Sequence, residues 1–222
     1  MIEAILSLTS YPARIQNVDK TIIKHLLFKN DNIKIVLNLY EGEFPNKEKD
    51  LPENLRLLVD NGLLEILWHK KNYRVLMKTL FAMEKYKDLP VISADDDNFP
   101  LINYPKILLD EWKKNKDYFI SFWGSKYKNT WHLGGNFTIS PPYAFGEYGI
   151  KCLTDKIIDT KEDDPYYTVL RNKLNMTKCK IINSYRINEI IKVHDEINPL
   201  HNIYRNRPRH WAAEICENEI KV

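Results

Sequence analysis

Three consecutive aspartates form the most distinctive chemical feature of this sequence. Asp95, Asp96 and Asp97 directly follow the apolar run 89–94. Neighbouring carboxylates raise each other's pKa unless a cation offsets their charge, and their oxygens suit hard ions such as Mg²⁺, Mn²⁺ or Ca²⁺. Because side chains alternate along an extended backbone, Asp95 and Asp97 share one side while Asp96 points the other way. The run therefore predicts a divalent-metal site on the outer pair.

The residues that flank this acidic run test three other interpretations. A solvated turn or a helix N-cap before Pro100 stays open. An EF-hand calcium loop is excluded, because Phe99, Pro100 and Lys106 stand where that loop requires Asp or Asn, then Gly, then Glu. A phosphatase of the haloacid dehalogenase type is also excluded, because its acidic pair would follow the first strand and this run follows the fourth.

A second acidic cluster, Glu-Asp-Asp-Pro at 162–165, precedes a predicted helix. Carboxylates at that position can cap backbone N–H groups and favour the positive end of the helix dipole. A carboxylate can also take a proton from a hydroxyl group in a reaction. The residues alone leave both roles open for Asp163 and Asp164.

Alternating strands and helices must position these acids. Apolar runs predict strands at 2–8, 33–37, 63–68 and 91–94, and apolar residues at helical spacing predict helices between them. The second half is less regular, with a helix predicted at 104–114, strands near 117–123 and 136–140, and a helix after Pro165. Such alternation predicts an α/β fold with a mostly parallel sheet, in which ligands bind outside the carboxyl ends of the strands. The aspartates stand at that edge.

Length and composition predict one ordinary globular domain. The chain has 222 residues, of which 44% are hydrophobic and 28% charged, and no glycine- or serine-rich linker divides it. The net charge of +3 is too small for a dedicated nucleic-acid binder. Three cysteines without paired spacing fit a reducing compartment, and we find no signal-peptide pattern or membrane-spanning run. We therefore expect a cytoplasmic protein with no nucleic-acid partner.

Several segments together resemble a bacterial glycosyltransferase family of the GT-A type, found in capsule and surface-polysaccharide gene clusters. The resemblance begins with Ser-Leu-Thr-Ser-Tyr-Pro-Ala-Arg-Ile at 7–15, the Lys78 segment and the aspartate run. It continues through Gly-Gly-Asn at 134–136, Pro-Pro at 141–142 and the second acidic cluster. It implies a GT-A-like single domain over 1–222, with a Rossmann-like nucleotide-binding half at about 1–100, an irregular acceptor half at about 101–200 and a basic tail at 201–222.

The same resemblance implies a hexosyltransferase with a nucleoside diphosphate sugar donor, expected to be UDP-linked, and a Mn²⁺ or Mg²⁺ ion. It implies that Asp97 binds the metal directly, while Asp95 approaches the donor ribose or a metal-bound water. Further donor contacts are expected at these residues: Thr9 and Tyr11 with the base or ribose, Arg14 with a phosphate, and Lys78 and Asp96 with the donor. Ordinary roles in a turn or on a solvated surface remain the alternative for Thr9, Tyr11, Arg14 and Lys78.

The resemblance also implies an acceptor site on a growing glycan or lipid-linked glycan. An inverting transfer needs a carboxylate base, for which Asp163 is expected first and Asp164 second. From their own chemistry, Trp131, His132 and the Gly134–Gly135 pair are expected to form an acceptor floor, because indole rings stack on sugar faces and glycines allow close backbone approach. Core packing for Trp131 and a plain turn for the glycines are the alternatives.

Late histidines and arginines complete the set of candidates. The resemblance also implies a late histidine ligand for the metal, for which His194, His201 and His210 are the candidates and His201 is expected; an ordinary surface or capped histidine is the alternative. The basic stretch with Arg205, Arg207 and Arg209 is expected to be a solvated tail or to contact either the diphosphate or, peripherally, an anionic membrane surface.

Two rival functions remain. A sugar nucleotidyltransferase would share the sheet and the metal, but the segment 9–14 after the first strand lacks the glycine-rich phosphate loop expected there. A non-catalytic carbohydrate- or metal-binding protein with the same fold is the other rival.

Overall fold

Apolar runs form strands and amphipathic segments form helices in the order predicted for the first half of the chain. The structure is a computed structural model that describes residues 1–28, 31–128, 130–193 and 210–222. The strands are β1 Ala4–Thr9, β2 Ile33–Tyr40, β3 Glu65–His69, β4 Val91–Ser93, β5 Asn98–Pro100, β6 Phe119–Ser121, β7 Gly124–Tyr127, β8 Thr130–Leu133, β9 Thr138–Ser140, β10 Cys179–Ile181 and β11 Ile191–Val193. The helices are α1 Val18–Phe28, α2 Glu53–Asp60, α3 Met77–Lys85, α4 Tyr104–Lys114, α5 Tyr148–Lys151, α6 Asp155–Ile158, α7 Asp164–Lys173, α8 Ile187–Ile190 and α9 Trp211–Glu219.

In the described part of the chain, seven strands form a central sheet in the order β10-β6-β9-β4-β1-β2-β3. β1 pairs in parallel with β2 and β4, β2 with β3, and β6 with β10. β9 runs antiparallel between β4 and β6. The predicted α/β class with a mostly parallel sheet is therefore confirmed. Because β4 and β6 are both antiparallel to β9, they run in the same direction and end at the same edge of the sheet.

Side-chain alternation along the central strands gives the sheet two buried faces. Leu6 of β1 packs with one core cluster, to which α1, α2 and α4 contribute. Its neighbour Ile5 packs with the other cluster, to which α3, α7 and α9 contribute. Helices thus cover both faces, as expected for a parallel sheet whose strands are apolar on both sides.

Several short elements are additions to the predicted set. β5 pairs antiparallel with β11, and β7 pairs antiparallel with β8 to form a hairpin that follows β6. Within the residues that the structure describes, we find no helix long and apolar enough to span a bilayer.

The helix α1 buries a histidine, His25. The ring of His25 contacts the ring of Tyr104 edge-on, with 5.6 Å between centroids. Neither ring nitrogen has a hydrogen-bond partner within the described ranges. Burial lowers the pKa of His25 to about 3, so the native protein holds this side chain neutral.

His25 is expected to make the protein less stable in mild acid. Between its ordinary pKa near 6.5 and its native pKa, the unfolded chain binds a proton that the native state does not bind, so the free energy of unfolding falls as the pH falls. Urea unfolding measures this effect. Between pH 7.5 and pH 5.0, we expect the free energy of unfolding to fall by about 2 kcal/mol more in the wild type than in His25→Leu. Equal losses in the two proteins would contradict a neutral, buried His25.

Candidate active site

A cleft of about 540 Å³ opens at the edge of the sheet where β4 and β6 end. β9 is antiparallel to both strands and therefore begins at this edge. The helix α7 also begins at the cleft. The residues that line the cleft are Val75, Lys78, Asp95, Trp123, His132, Gly134, Gly135, Asn136, Phe137, Lys161, Glu162, Asp163 and Asp164. Both acidic clusters singled out from the sequence therefore contribute to one cleft.

Lys78 links the two acidic clusters. Its side chain is only 3% exposed, and its Nζ lies 2.7 Å from Asp95 Oδ1 and 2.9 Å from Asp163 Oδ2. It also donates to Asn136 Oδ1 at 3.0 Å, and the Asn136 amide group donates to Asp95. Burial alone would lower the pKa of Lys78, but the charges of Asp163 and Asp95 outweigh it and raise this pKa well above its ordinary value. The ammonium group stays charged and holds the two clusters together.

Asp96 and Asp97 are not among the described residues that line the cleft. The backbone turns at these two residues, so the side-chain alternation expected of an extended strand does not apply there. The Asp96 carboxylate accepts from Ser10 Oγ at 2.6 Å and from Arg14 Nη1 at 2.8 Å, and its backbone oxygen accepts from Thr21. Burial raises its pKa, and the charge of Arg14 opposes that rise. These contacts hold the loop after β1, and the donor contact expected for Asp96 stays a prediction.

Asp97 shares the guanidinium group of Arg14. Arg14 Nη1 lies 2.9 Å from Asp97 Oδ2. Arg14 therefore forms ion pairs with the acidic run, whereas the sequence analysis expected it to contact a donor phosphate. Burial and the charge of Asp95 raise the pKa of Asp97 to about 7, although Arg14 opposes both. Asp95 and Asp97 are therefore close enough to repel each other, as the sequence predicts.

Two internal cations thus share the three aspartates. Within the described ranges, no group of three or more His, Cys, Asp or Glu side chains is arranged to hold a metal ion. Asp95 and Asp97 remain a two-carboxylate set. Mg²⁺ in phosphate-processing sites is commonly held by one or two carboxylates together with substrate phosphates, so this set fits such an ion.

Asp163 and Asp164 stand at the start of α7 and line the same cleft as Asp95. Asp163 occupies the N-cap position but makes no side-chain cap hydrogen bond within the described residues; it pairs with Lys78 instead. Asp164 is the more exposed side chain, 27% against 13%, and its Oδ2 lies 3.7 Å from His132 Nε2. Burial and the Asp164 charge raise the pKa of Asp163, against the opposing charge of Lys78. Helix capping therefore does not explain Asp163.

Gly135 lets the backbone run directly against this acidic pair. A Cβ atom at position 135 would lie 2.3 Å from oxygens of both Asp163 and Asp164, closer than real Cβ contacts allow. Of the expected acceptor floor, His132, Gly134 and Gly135 line the cleft.

Trp131 is not among the described residues that line the cleft. In the β7–β8 hairpin it is the neighbour of His132, and adjacent residues of a strand face opposite sides. His132 faces the cleft, whereas the Trp131 ring packs with the core beneath α7 and carries Lys126 Nζ at 4.3 Å from its centroid. Trp123, to which the sequence analysis gave no role, lines the cleft.

The remaining candidates lie elsewhere. Thr9 Oγ1 donates to the backbone oxygen of Asn38 at 2.9 Å, and the Tyr11 ring lies 5.6 Å from the Arg14 guanidinium carbon. The His210 ring packs against Tyr127. His194, His201, Arg205, Arg207 and Arg209 lie outside the described residues.

Sequence reasoning also gave no role to Asn136, which bridges Lys78 and Asp95. The signal that points to it is its position directly after the glycine pair. The two glycines allow the backbone to come close to the charged cluster, so the amide side chain of the next residue can reach it.

Comparisons with known proteins give a likeness among solved structures. No protein-family model matches this chain, and no curated protein matches it. Among solved structures, the chain is similar to the crystal structure of GalNAc-T7 with UDP, GalNAc and Mn²⁺, at 14% identity and a TM-score of 0.45. The likeness covers 64% of this chain and 26% of that one, so this chain spans about a quarter of its length. A likeness of this size does not establish a shared activity.

Proposed function

We propose that this chain is a metal-dependent glycosyltransferase, which moves a sugar from a nucleoside diphosphate donor to a hydroxyl group of a glycan. The observation that supports the proposal is that Asp95, Asp163 and Asp164 line one cleft, in which the buried Lys78 joins Asp95 to Asp163. Sugar transfer needs a site for the leaving diphosphate and a base for the acceptor, and the two acidic clusters supply one candidate for each.

In this proposal Asp95 and Asp97 hold a Mn²⁺ or Mg²⁺ ion together with the donor diphosphate. A bound divalent ion would offset the negative charge that develops on the leaving diphosphate. Asn136 orients the Asp95 carboxylate through its amide group. Arg14 and Ser10 bind the Asp96 carboxylate and so hold the acidic run in place. This support maintains the spacing between Asp95 and Asp97.

We assign proton removal to Asp164 rather than to Asp163, the first choice from the sequence. Asp163 is committed to Lys78, whereas Asp164 is more exposed to the cleft. A base must reach the acceptor hydroxyl within hydrogen-bond distance, and the more exposed carboxylate meets that condition better. A direct displacement with this base on the acceptor side would invert the sugar.

The finer parts of the proposal rest on the sequence resemblance. They are a UDP-linked donor and an acceptor on a bacterial surface glycan or lipid-linked glycan. Two further parts rest on the sequence itself: a cytoplasmic location, from the cysteine spacing and the sequence patterns, and peripheral contact with the membrane, from the basic tail. A nucleotidyltransferase is disfavoured because the loop after β1 lacks glycine.

Thermal unfolding with nucleotides tests the donor site directly. UDP, GDP, CDP and their sugar conjugates are each added with and without Mn²⁺. We expect one nucleotide to stabilise the protein only when the metal is present, by about 2.7 kcal/mol at 100 times its dissociation constant. Donor binding with no transfer to any acceptor or to water would favour the non-catalytic binding protein. Absence of any shift with every nucleotide and with metal alone would contradict the proposal.

A further inference from the structure

An exposed tryptophan forms one wall of the cleft. Trp123 follows β6 and is 47% exposed, which is unusual for an indole ring beside a cluster of buried charges. Its ring lies against the backbone of Gly134: a Cβ at position 134 would be 3.0 Å from Trp123 Cε3. The Gly134 amide also donates to the Trp123 backbone oxygen at 3.2 Å. The ring is therefore supported from behind by a residue without a side chain.

The sheet order places Trp123 away from the candidate donor site at the end of β4. β6 lies two strands from β4, with β9 between them, and on the side opposite β1, β2 and β3. With about 4.8 Å between neighbouring strands, the end of β6 is about 10 Å from the end of β4. The candidate donor site at the end of β4 and the ring of Trp123 thus occupy different parts of one cleft, with Asp163 and Asp164 also lining it.

We propose that Trp123 is a stacking platform for a pyranose ring of the acceptor, a role that rests on the proposed transferase function. The face of an aromatic ring is negative, so it attracts the C–H bonds on the face of a sugar ring. Hydroxyl groups at the edge of the sugar ring would then contact the polar side chains of His132 and Asp164, which line the same cleft. Gly134 and Trp123 together set the depth at which the sugar lies.

Binding of simple sugars tests this platform without requiring turnover. Saturation-transfer NMR is recorded with methyl α- and β-glycosides of glucose, galactose, N-acetylglucosamine and rhamnose. We expect at least one glycoside to bind the wild type, to lose about tenfold in affinity with Trp123→Ala, and to lose less with Trp123→Phe, which keeps a flat ring. Gly134→Ala should weaken binding as well, because its methyl group displaces the ring.

Matched variants and a second readout separate this proposal from the transferase itself. Trp68→Phe is the control, since Trp68 lies in β3 and its indole donates to Glu48. Metal-dependent stabilisation by the donor nucleotide should be unchanged in Trp123→Ala. If the nucleotide shift fails in the wild type while Trp123-dependent sugar binding persists, the transferase function is contradicted, and Trp123 is a sugar-binding residue without an acceptor role.

Three results would overturn the platform. They are the absence of binding by every glycoside to the wild type, unchanged binding in Trp123→Ala, and loss of binding on Trp131→Phe but not on Trp123→Ala. The last would return the acceptor floor to Trp131.

Discussion

Replacing Asp97 with asparagine is expected to lower the rate of sugar transfer about 1,000-fold or more while the protein stays folded. The change keeps the shape of the side chain and removes the charge that, in the proposed function, binds the metal. A 1,000-fold loss corresponds to about 4 kcal/mol of transition-state stabilisation, in the range for electrostatic stabilisation of a leaving group. The measurement is transfer rate with saturating donor and Mn²⁺, together with urea unfolding.

The folded state should tolerate this change because Asp97 is not the sole partner of Arg14. Arg14 keeps its 2.8 Å contact with Asp96, and the loss of the Asp97 charge also removes its repulsion with Asp95. Asp60→Asn, an exposed residue at the end of α2, is the matched control and should keep full activity. Undiminished transfer by Asp97→Asn would remove this residue from the donor site.

The first half of the fold is predictable from the sequence because its signals are local. The apolar runs of β1 to β4 and the helical spacing of α1 and α3 lie within short windows of the chain. The elements that were not predicted include three-residue strands whose partners are distant in sequence. β5, for example, is defined by its pairing with β11. No local pattern carries that information.

The site was predictable in its residue types but not in its pairings. The sequence indicates that the aspartates need a cation, and the structure adds that Arg14 and Lys78 already share them. The choice of Trp131 instead of Trp123 has a similar origin. In a hairpin a shift of one residue moves a side chain to the other face, and the register that pairs Lys126 with Trp131 is set by the fold.

Replacement of Lys78 by methionine is expected to cause the largest loss of stability. Methionine has a similar length but leaves Asp95 and Asp163 without their shared cation, and removal of one partner from a buried ion pair costs about 3–5 kcal/mol. Urea unfolding at pH 7 measures this loss. Lys85→Met on the same helix is the control, because Lys85 is 49% exposed and its pair with Glu65 should contribute less than about 1 kcal/mol. A loss at Lys78 no larger than at Lys85 would contradict the linking role.

The same reasoning separates the two acids at the start of α7. Asp163→Asn removes one of the carboxylates that compensate the buried Lys78 charge, so it should reduce stability as well as turnover. Asp164→Asn should keep the stability of the wild type and still lose transfer about 100-fold or more, because it removes the proposed base. If Asp163→Asn instead loses turnover at unchanged stability while Asp164→Asn stays active, Asp163 takes the proton. Lys78 would then position the base directly, and the exposure of Asp164 would have no catalytic meaning.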